Sequence, residues 1–252
     1  LGQTKYSRGG DGRLTLKGAV RELLATEFLT SLGVPTSQTF SIIETAEKLQ
    51  RNDEPSPTRS AVLVRRSNSH IRIGTFQRLK YLNEYENIEL LLKHLRKNYF
   101  TNIKPNKSIK TLAEKIFLES VKRIAESIGR IIVSGFVHGV LNTDNFNVTG
   151  EVFDYGPWRF IEFANTYFTA AYFDSNGRYS FGRQPEAALW ALTQLGKSLE
   201  EFIDEKIIIE NLNQFSKNFH NSLKKHFCWR MGIEDIDSKN LNNIMTILLN
   251  ES

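Results

Sequence analysis

An α+β fold in two parts is what this sequence predicts: a small, truncated lobe carrying a sheet, followed by a larger helical lobe. Three observations lead there. Two runs rich in β-branched residues, TFSIIE and SAVLVRR, fall within the first 83 residues. From about residue 84 onward apolar residues recur at helical spacing. A chain of 252 residues, 40% of them hydrophobic, is long enough for two lobes with a substantial core. The expected division is 1–83 for the small lobe and 84–252 for the helical one.

Taken in order, residues 1–15 are rich in Gly and polar groups and read as a turn between short strands. Residues 16–32 read as a helix whose apolar spacing runs through Val20, Leu23, Leu24, Glu27 and Phe28, with Gly33 and Pro35 ending it. Strands are expected at 39–44 and 60–66, separated by a solvated loop whose two prolines exclude regular structure. Arg65 and Arg66 are neighbours on one strand, so only one of them can face a cleft. Leu112, Ile116, Phe117, Val121, Ile124, Ile128, Ile131 and Ile132 mark a long amphipathic helix. Further helices are expected near 186–198, 200–218 and 236–249.

Composition narrows the functions. The single cysteine, Cys228, precludes an internal disulfide and a Cys-rich metal site, and reads as a small apolar filler beside Phe227 and Trp229. No apolar run is long enough to cross a bilayer, so no membrane role is expected. A net charge of +5 with scattered Lys and Arg suits polyphosphate or acidic partners. Zinc-finger spacing, basic runs and aromatic RNA-recognition signatures are lacking, so no nucleic-acid partner is expected. The opening LGQTKYSRGG has neither an initiator Met nor the shape of a signal peptide, and is expected to begin partway along a longer protein.

Chemistry concentrates after the long helix, in HGVLNTDNF (138–146) and DYG (154–156). A protein-kinase catalytic loop has the form H-R-D-x-x-x-x-N, followed by D-F-G. With His138 in register, Asn145 falls on the metal-binding Asn, Asp154 on the metal-binding Asp, and Val140 where the base would be. FNVTGEVF between them is expected to turn at Thr149–Gly150 and bring the Asn145 and Asp154 oxygens together, hard donors suited to Mg2+ or Mn2+. The alternative is a polar hairpin in which both merely cap turns. Asp144, beside Asn145, could orient or deprotonate a hydroxyl, or be one more acidic turn residue. His138 reads as structural, its ring bonding loop carbonyls with Phe136 packed below. RGGDGR (8–13) permits close approach of backbone to phosphate, and Arg65 or Arg72 could offer forked donors or simply be solvated. A sheet lobe, a helical lobe and these motifs together outline a protein-kinase-like two-lobe fold.

GQTKYSRGGDGR, VRELLATEFLTSLGVPT, SHIRIGTF, GFVHGVLNTDNFNVTGEVFDYGP and NGRYSFGRQP, in that order over residues 2–185, resemble the selenoprotein O (YdiU) family of protein adenylyltransferases. The resemblance implies a pseudokinase fold that binds ATP in reversed orientation and transfers AMP to Ser, Thr or Tyr hydroxyls of proteins. It implies Asp144 as base, Asn145 and Asp154 as ligands of Mg2+ or Mn2+, and Asp11, Gly12, Arg65 and Arg72 as nucleotide contacts. It implies a cytoplasmic setting in a bacterium and a mitochondrial one in a eukaryote. The oligomeric state is left open.

Departures accompany it. The family's nucleotide-binding Lys would, by register, precede Leu1, so Glu22, which matches its partner, is expected to have lost it unless Lys5 or Lys17 substitutes. Residue 5 is Lys where the family usually has Pro, and the family's carboxy-terminal redox extension is expected to be missing. Two other functions therefore stand beside the adenylyltransferase: an impaired pseudokinase serving as a nucleotide-binding or interaction module, and a γ-phosphoryl kinase, against which Val140 argues.

Overall fold

The computed structural model describes residues 2–3, 10–105, 107–237 and 239–244. It is mixed α and β. A short strand β1 (Leu14–Thr15) leads into helix α1 (Leu16–Ser31), whose first turn is capped by the Thr15 hydroxyl accepting from Gly18 N–H. Strands β2 (Gln38–Leu49) and β3 (Thr58–Arg66) follow, and the antiparallel sheet has the order β1-β3-β2. Both strands run longer than the β-branched runs alone suggest. Register shifts between Thr39 and Ser41 and between Glu44 and Lys48 let β2 continue past its apolar stretch. Part of the expected opening turn, residues 4–9, lies outside the described residues.

α1 buries a different face from the expected one. Ala19, Glu22, Ala25, Thr26 and Leu29 are inside, while Val20, Leu24 and Phe28 stay 40–47% exposed. The helix packs on the sheet, and small residues on the inner face allow a close approach that larger ones would block.

Helices α2 (Ile73–Tyr81) and α3 (Tyr85–Asn98) come next; α2 begins earlier than the helical character of the sequence suggests, and packs on α3. Helix α4 (Ile109–Ser134) is the centre of the core. All eight apolar residues of its expected stripe are buried, because a helix covered by α3, α5, α6 and α7 must be apolar on most sides. Ser108 caps its start, and Gly135, in the left-handed region at φ 72°, ends it.

The chain then enters β4 (Phe136–Val137), which pairs with β5 (Arg159–Phe160). The residues between these strands form the excursion that carries the motifs. Helix α5 (Gln184–Ser198) follows, preceded by a turn of 3-10 helix at Phe181–Arg183. The region expected as one helix over 200–218 is two, α6 (Glu205–Leu212) and the start of α7 (Gln214–Met231). Residues 239–244 are helical, and the rest of the helix expected to 249 lies outside the described residues. Cys228 is free and buried on α7, as a filler should be. Among the described residues no helix is long and apolar enough to cross a membrane.

α4 and α7 approach closely at Gly129. A Cβ there would lie 2.9 Å from the Leu223 nitrogen, the Phe219 oxygen and Ser222 Cβ. Two of these are backbone and cannot rotate away. Gly129→Ala should therefore cost about 1–3 kcal/mol despite its better helix propensity. A thermal melt should show a fall of several degrees; an unchanged or raised midpoint would mean that α7 slides to make room.

Candidate active site

The motif-bearing excursion is tied at its base and along its length. Phe136 pairs with Phe160 and Val137 with Arg159. Phe136 also meets the rings of Tyr155, Trp158 and Phe160, so both ends of the excursion share one aromatic cluster. Within it, the Phe146–Val152 bridge closes a hairpin, with Asn147 N–H donating to Glu151 O (3.0 Å) and Gly150 at φ 103° in the turn. This is the expected turn at Thr149–Gly150. Backbone bridges then stitch it to two distant segments, Arg72 to Asn147 and Thr36 to Val152.

His138 is wholly buried. Its Nε2–H donates to Phe153 O (3.0 Å), and its Nδ1 accepts from Val140 N–H at a longer 3.4 Å. Burial drives its pKa down to about 4, so the ring is neutral at physiological pH. That is the structural role expected of it, although the ring against it is Tyr155 (5.1 Å), with Phe136 behind Tyr155. Gln184 completes the brace, its Oε1 accepting from His138 N–H and its Nε2 donating to Phe136 O.

Arg65 is the hub. Its Nη2 reaches Asp154 Oδ1 at 2.6 Å and its Nη1 reaches Glu22 Oε2 at 3.5 Å. Glu22 thus has a cationic neighbour in Arg65, a different group from the lysine that the family pairs with it. Lys17 instead lies 3.8 Å from Glu54, and Lys5 is outside the described residues. The sharing is unequal. Asp154 takes the short contact, and buried Glu22 is pushed up from its ordinary 4.5 to about 7, because desolvation outweighs the pull of Arg65 while Asp154 adds repulsion. Asp154 sits at φ 61°, a left-handed conformation uncommon outside Gly and held here by its neighbours. Arg21 clamps the chain just beyond it, donating to Gly156 O (3.0 Å) and Trp158 O (2.6 Å).

The other expected residues divide. Arg72 and Arg65 both lie over the ring of Phe153, 5.9 and 5.1 Å from its centroid. Gly12 and Arg65 line one cleft of about 490 Å³ beside the sheet. Asp11 is engaged by Arg51, which grips its carboxylate at 2.8 and 3.1 Å, and this bonding holds its pKa below the usual carboxylate range. Arg8 and Gly9 of the glycine-rich segment lie outside the described residues. Asn145 is buried, its Nδ2 donating to Val140 O (2.7 Å). Asp144 is exposed, its N–H donating to Asn142 Oδ1.

Among the described residues there is no cluster of three His, Cys, Asp or Glu side chains able to hold a metal alone. The donors of the loop suit a hard cation that takes its remaining ligands from phosphate and water: one amide oxygen from Asn145 and the second carboxylate oxygen of Asp154, whose first is held by Arg65.

Three contributors escape sequence reasoning. Phe153 is the platform under both arginines, Arg21 the clamp on Gly156 and Trp158, and Gly74 the gap that admits Asp144. A Cβ on Gly74 would overlap the Asp144 carboxylate. None has a local signal, since each is defined by a partner far away in sequence.

Comparison with known proteins finds relatives along nearly the whole chain. The family model for "Protein adenylyltransferase SelO" matches residues 1–251. A protein named "Protein nucleotidyltransferase YdiU" from Synechocystis sp. is 49% identical over 216 residues, covering 86% of this chain and 45% of its own. The protein of that name from Trichormus variabilis is 44% identical over 248 residues, 98% of this chain and 50% of its own. That from Gloeobacter violaceus is 53% identical over 184 residues, 73% and 38% respectively. The chain spans about half the length of the first two.

The shifted Glu22 makes stability pH-dependent. Its folded pKa, about 7, lies above the ordinary 4.5, so the folded state holds the proton more tightly. Its contribution is fully present below pH 4.5 and is lost as pH rises to about 7, on the order of 3 kcal/mol in all. Glu22→Gln keeps the shape and removes the titration. Denaturant unfolding across this range should show a flatter profile for the variant than for the wild type; identical slopes would refute the shift.

Proposed function

Because the chain belongs to the protein adenylyltransferase SelO family, we propose that it carries the active site of a protein adenylyltransferase, transferring AMP from ATP to Ser, Thr or Tyr hydroxyls of proteins. Residues 1–83 would form the smaller, nucleotide-binding lobe and 84–252 the helical lobe of a kinase-like arrangement, with ATP between them. The observation that carries the reading is the 2.6 Å bond from Arg65 to Asp154, which ties the sheet to the loop at the point where a triphosphate would need both a cation and a guanidinium.

In this reading the acceptor hydroxyl approaches Asp144, the exposed carboxylate of the loop. As the hydroxyl oxygen bonds to the α-phosphorus, the bond from phosphorus to the pyrophosphate oxygen breaks, and the proton passes to Asp144. Arg65 and Arg72, spaced by Phe153, offer forked donors to phosphate oxygens. Gly12 lets the backbone come close to the nucleotide. Asn145 and Asp154 would hold Mg2+ or Mn2+, which supplies charge neutralisation at the phosphates. Val140, uncharged at the position of a kinase base, is consistent with a displaced base. Asp11, spent on Arg51, would serve the nucleotide indirectly by shaping the turn at Gly12 and Arg13.

The full chain incubated with α-labelled ATP, Mn2+ and a protein acceptor should label the acceptor, and γ-labelled ATP should not. Asp144→Asn should lower the rate by about 10²-fold or more with little effect on ATP affinity by calorimetry. ATP binding without any label would favour a nucleotide-binding module instead.

Gly74→Ala provides a separate check, since it displaces the Asp144 carboxylate without altering any charge. It should lower kcat by about tenfold or more while leaving KM for ATP nearly unchanged. A wild-type kcat would mean that the base is elsewhere.

A further inference from the structure

Away from the loop, a cleft of about 490 Å³ opens where α4 and α7 pass the turn after α1. Its volume is within the roughly 300–1,000 Å³ usual for small-molecule sites. Lys122, Glu126 and Arg130 recur every fourth residue along the α4 side, and Lys225, His226 and Trp229 line the α7 side. Three cations thus face one carboxylate. Among the described residues none of the three forms a salt bridge; Arg130 is bound to Gly33 O (2.7 Å), which fixes its guanidinium at the cleft wall.

One wall is aromatic. Trp229 stacks on His226 with ring centroids 4.9 Å apart and planes 21° from parallel. The indole nevertheless remains 57% exposed, so a face of it is free to stack on something else. His226 is seated by Gly33, where a Cβ would come within 3.2 Å of its ring. Burial together with Arg130 lowers its pKa. Its Nε2 is buried and has no hydrogen-bond partner. A polar ligand group entering beside Trp229 would relieve that deficit.

We propose that this cleft binds a small anion carrying a planar ring, the chemistry of a nucleoside monophosphate, with the ring on Trp229 and the anionic group among Lys122, Arg130 and Lys225. The site is distinct from the loop described above and does not rest on the function proposed for it. Neither an aromatic face nor a set of unpaired cations alone specifies this ligand; together they select for both of its parts.

AMP titrated into the full chain and followed by tryptophan fluorescence tests it. A saturable quench is expected. It should vanish in Trp229→Phe, which leaves Trp158 and Trp190 as the remaining indoles. It should persist in Arg65→Ala, which disables the other candidate site. In the double variant Lys122→Glu/Lys225→Glu the midpoint should rise by at least ~tenfold. Both lysines are exposed, so circular dichroism should confirm an unchanged helix content. The proposal is overturned if no saturable quench is seen, if the double variant binds AMP as well as the wild type, or if Arg65→Ala abolishes the signal. Equal competition by inorganic phosphate would also overturn it, since the ring would then contribute nothing.

Discussion

One guanidinium between two carboxylates sets the character of this molecule. Arg65 comes from the sheet, Glu22 from α1 and Asp154 from the loop, so three separately formed elements meet at a single planar group. Two negative charges compete for one positive charge in a partly dry setting. The competition is eased because the more buried acid, Glu22, has its pKa raised to about 7 and so keeps a proton in part of the population at neutral pH, while the more exposed one, Asp154, keeps the short bond. A buried pair alone is weak evidence of stability, since desolvation cancels much of its attraction. Its value here is positional: Asp154 is held in an uncommon backbone conformation and aimed at a definite place.

The rest of the scaffold serves the same end. The β4–β5 ladder shuts the base of the excursion, the aromatic cluster about Phe136 fills it, and the neutral His138 bridges its two arms through Val140 and Phe153. Bridges at Thr36 and Arg72 prevent the hairpin from swinging. Loops with so many fixed points lose little further entropy when a ligand binds, which is the structural meaning of preorganisation. The family to which the chain belongs is shown by a match along residues 1–251, which includes this region.

Where local pattern decides structure, the sequence is readable. α4 announces itself because its apolar residues repeat along nearly its whole length and all find the core. The hairpin between Asn145 and Asp154 is readable for a similar reason, since Thr149–Gly150 can turn without help from elsewhere. α1 shows the limit. Its period is legible and its inner face is not, because Val20, Leu24 and Phe28 look like a core stripe, whereas a close helix–sheet contact selects Ala19 and Ala25. α2 escapes because no side chain caps it and a glycine and a threonine follow its first residue. Glu22's attachment to Arg65 spans 43 residues and Arg65's to Asp154 spans 89, distances over which spacing carries no information.

The shared seat of Arg65 and Arg72 on Phe153 has a further consequence. Like charges gathered about one ring repel, and that repulsion is met during folding, by packing and by the carboxylate of Asp154. A polyanion arriving there need not assemble its own receptor. It would, however, have to share Arg65 with Asp154, so its arrival would loosen the tie between strand and loop. Occupancy of this place and the rigidity of the loop are therefore two readings of a single electrostatic balance.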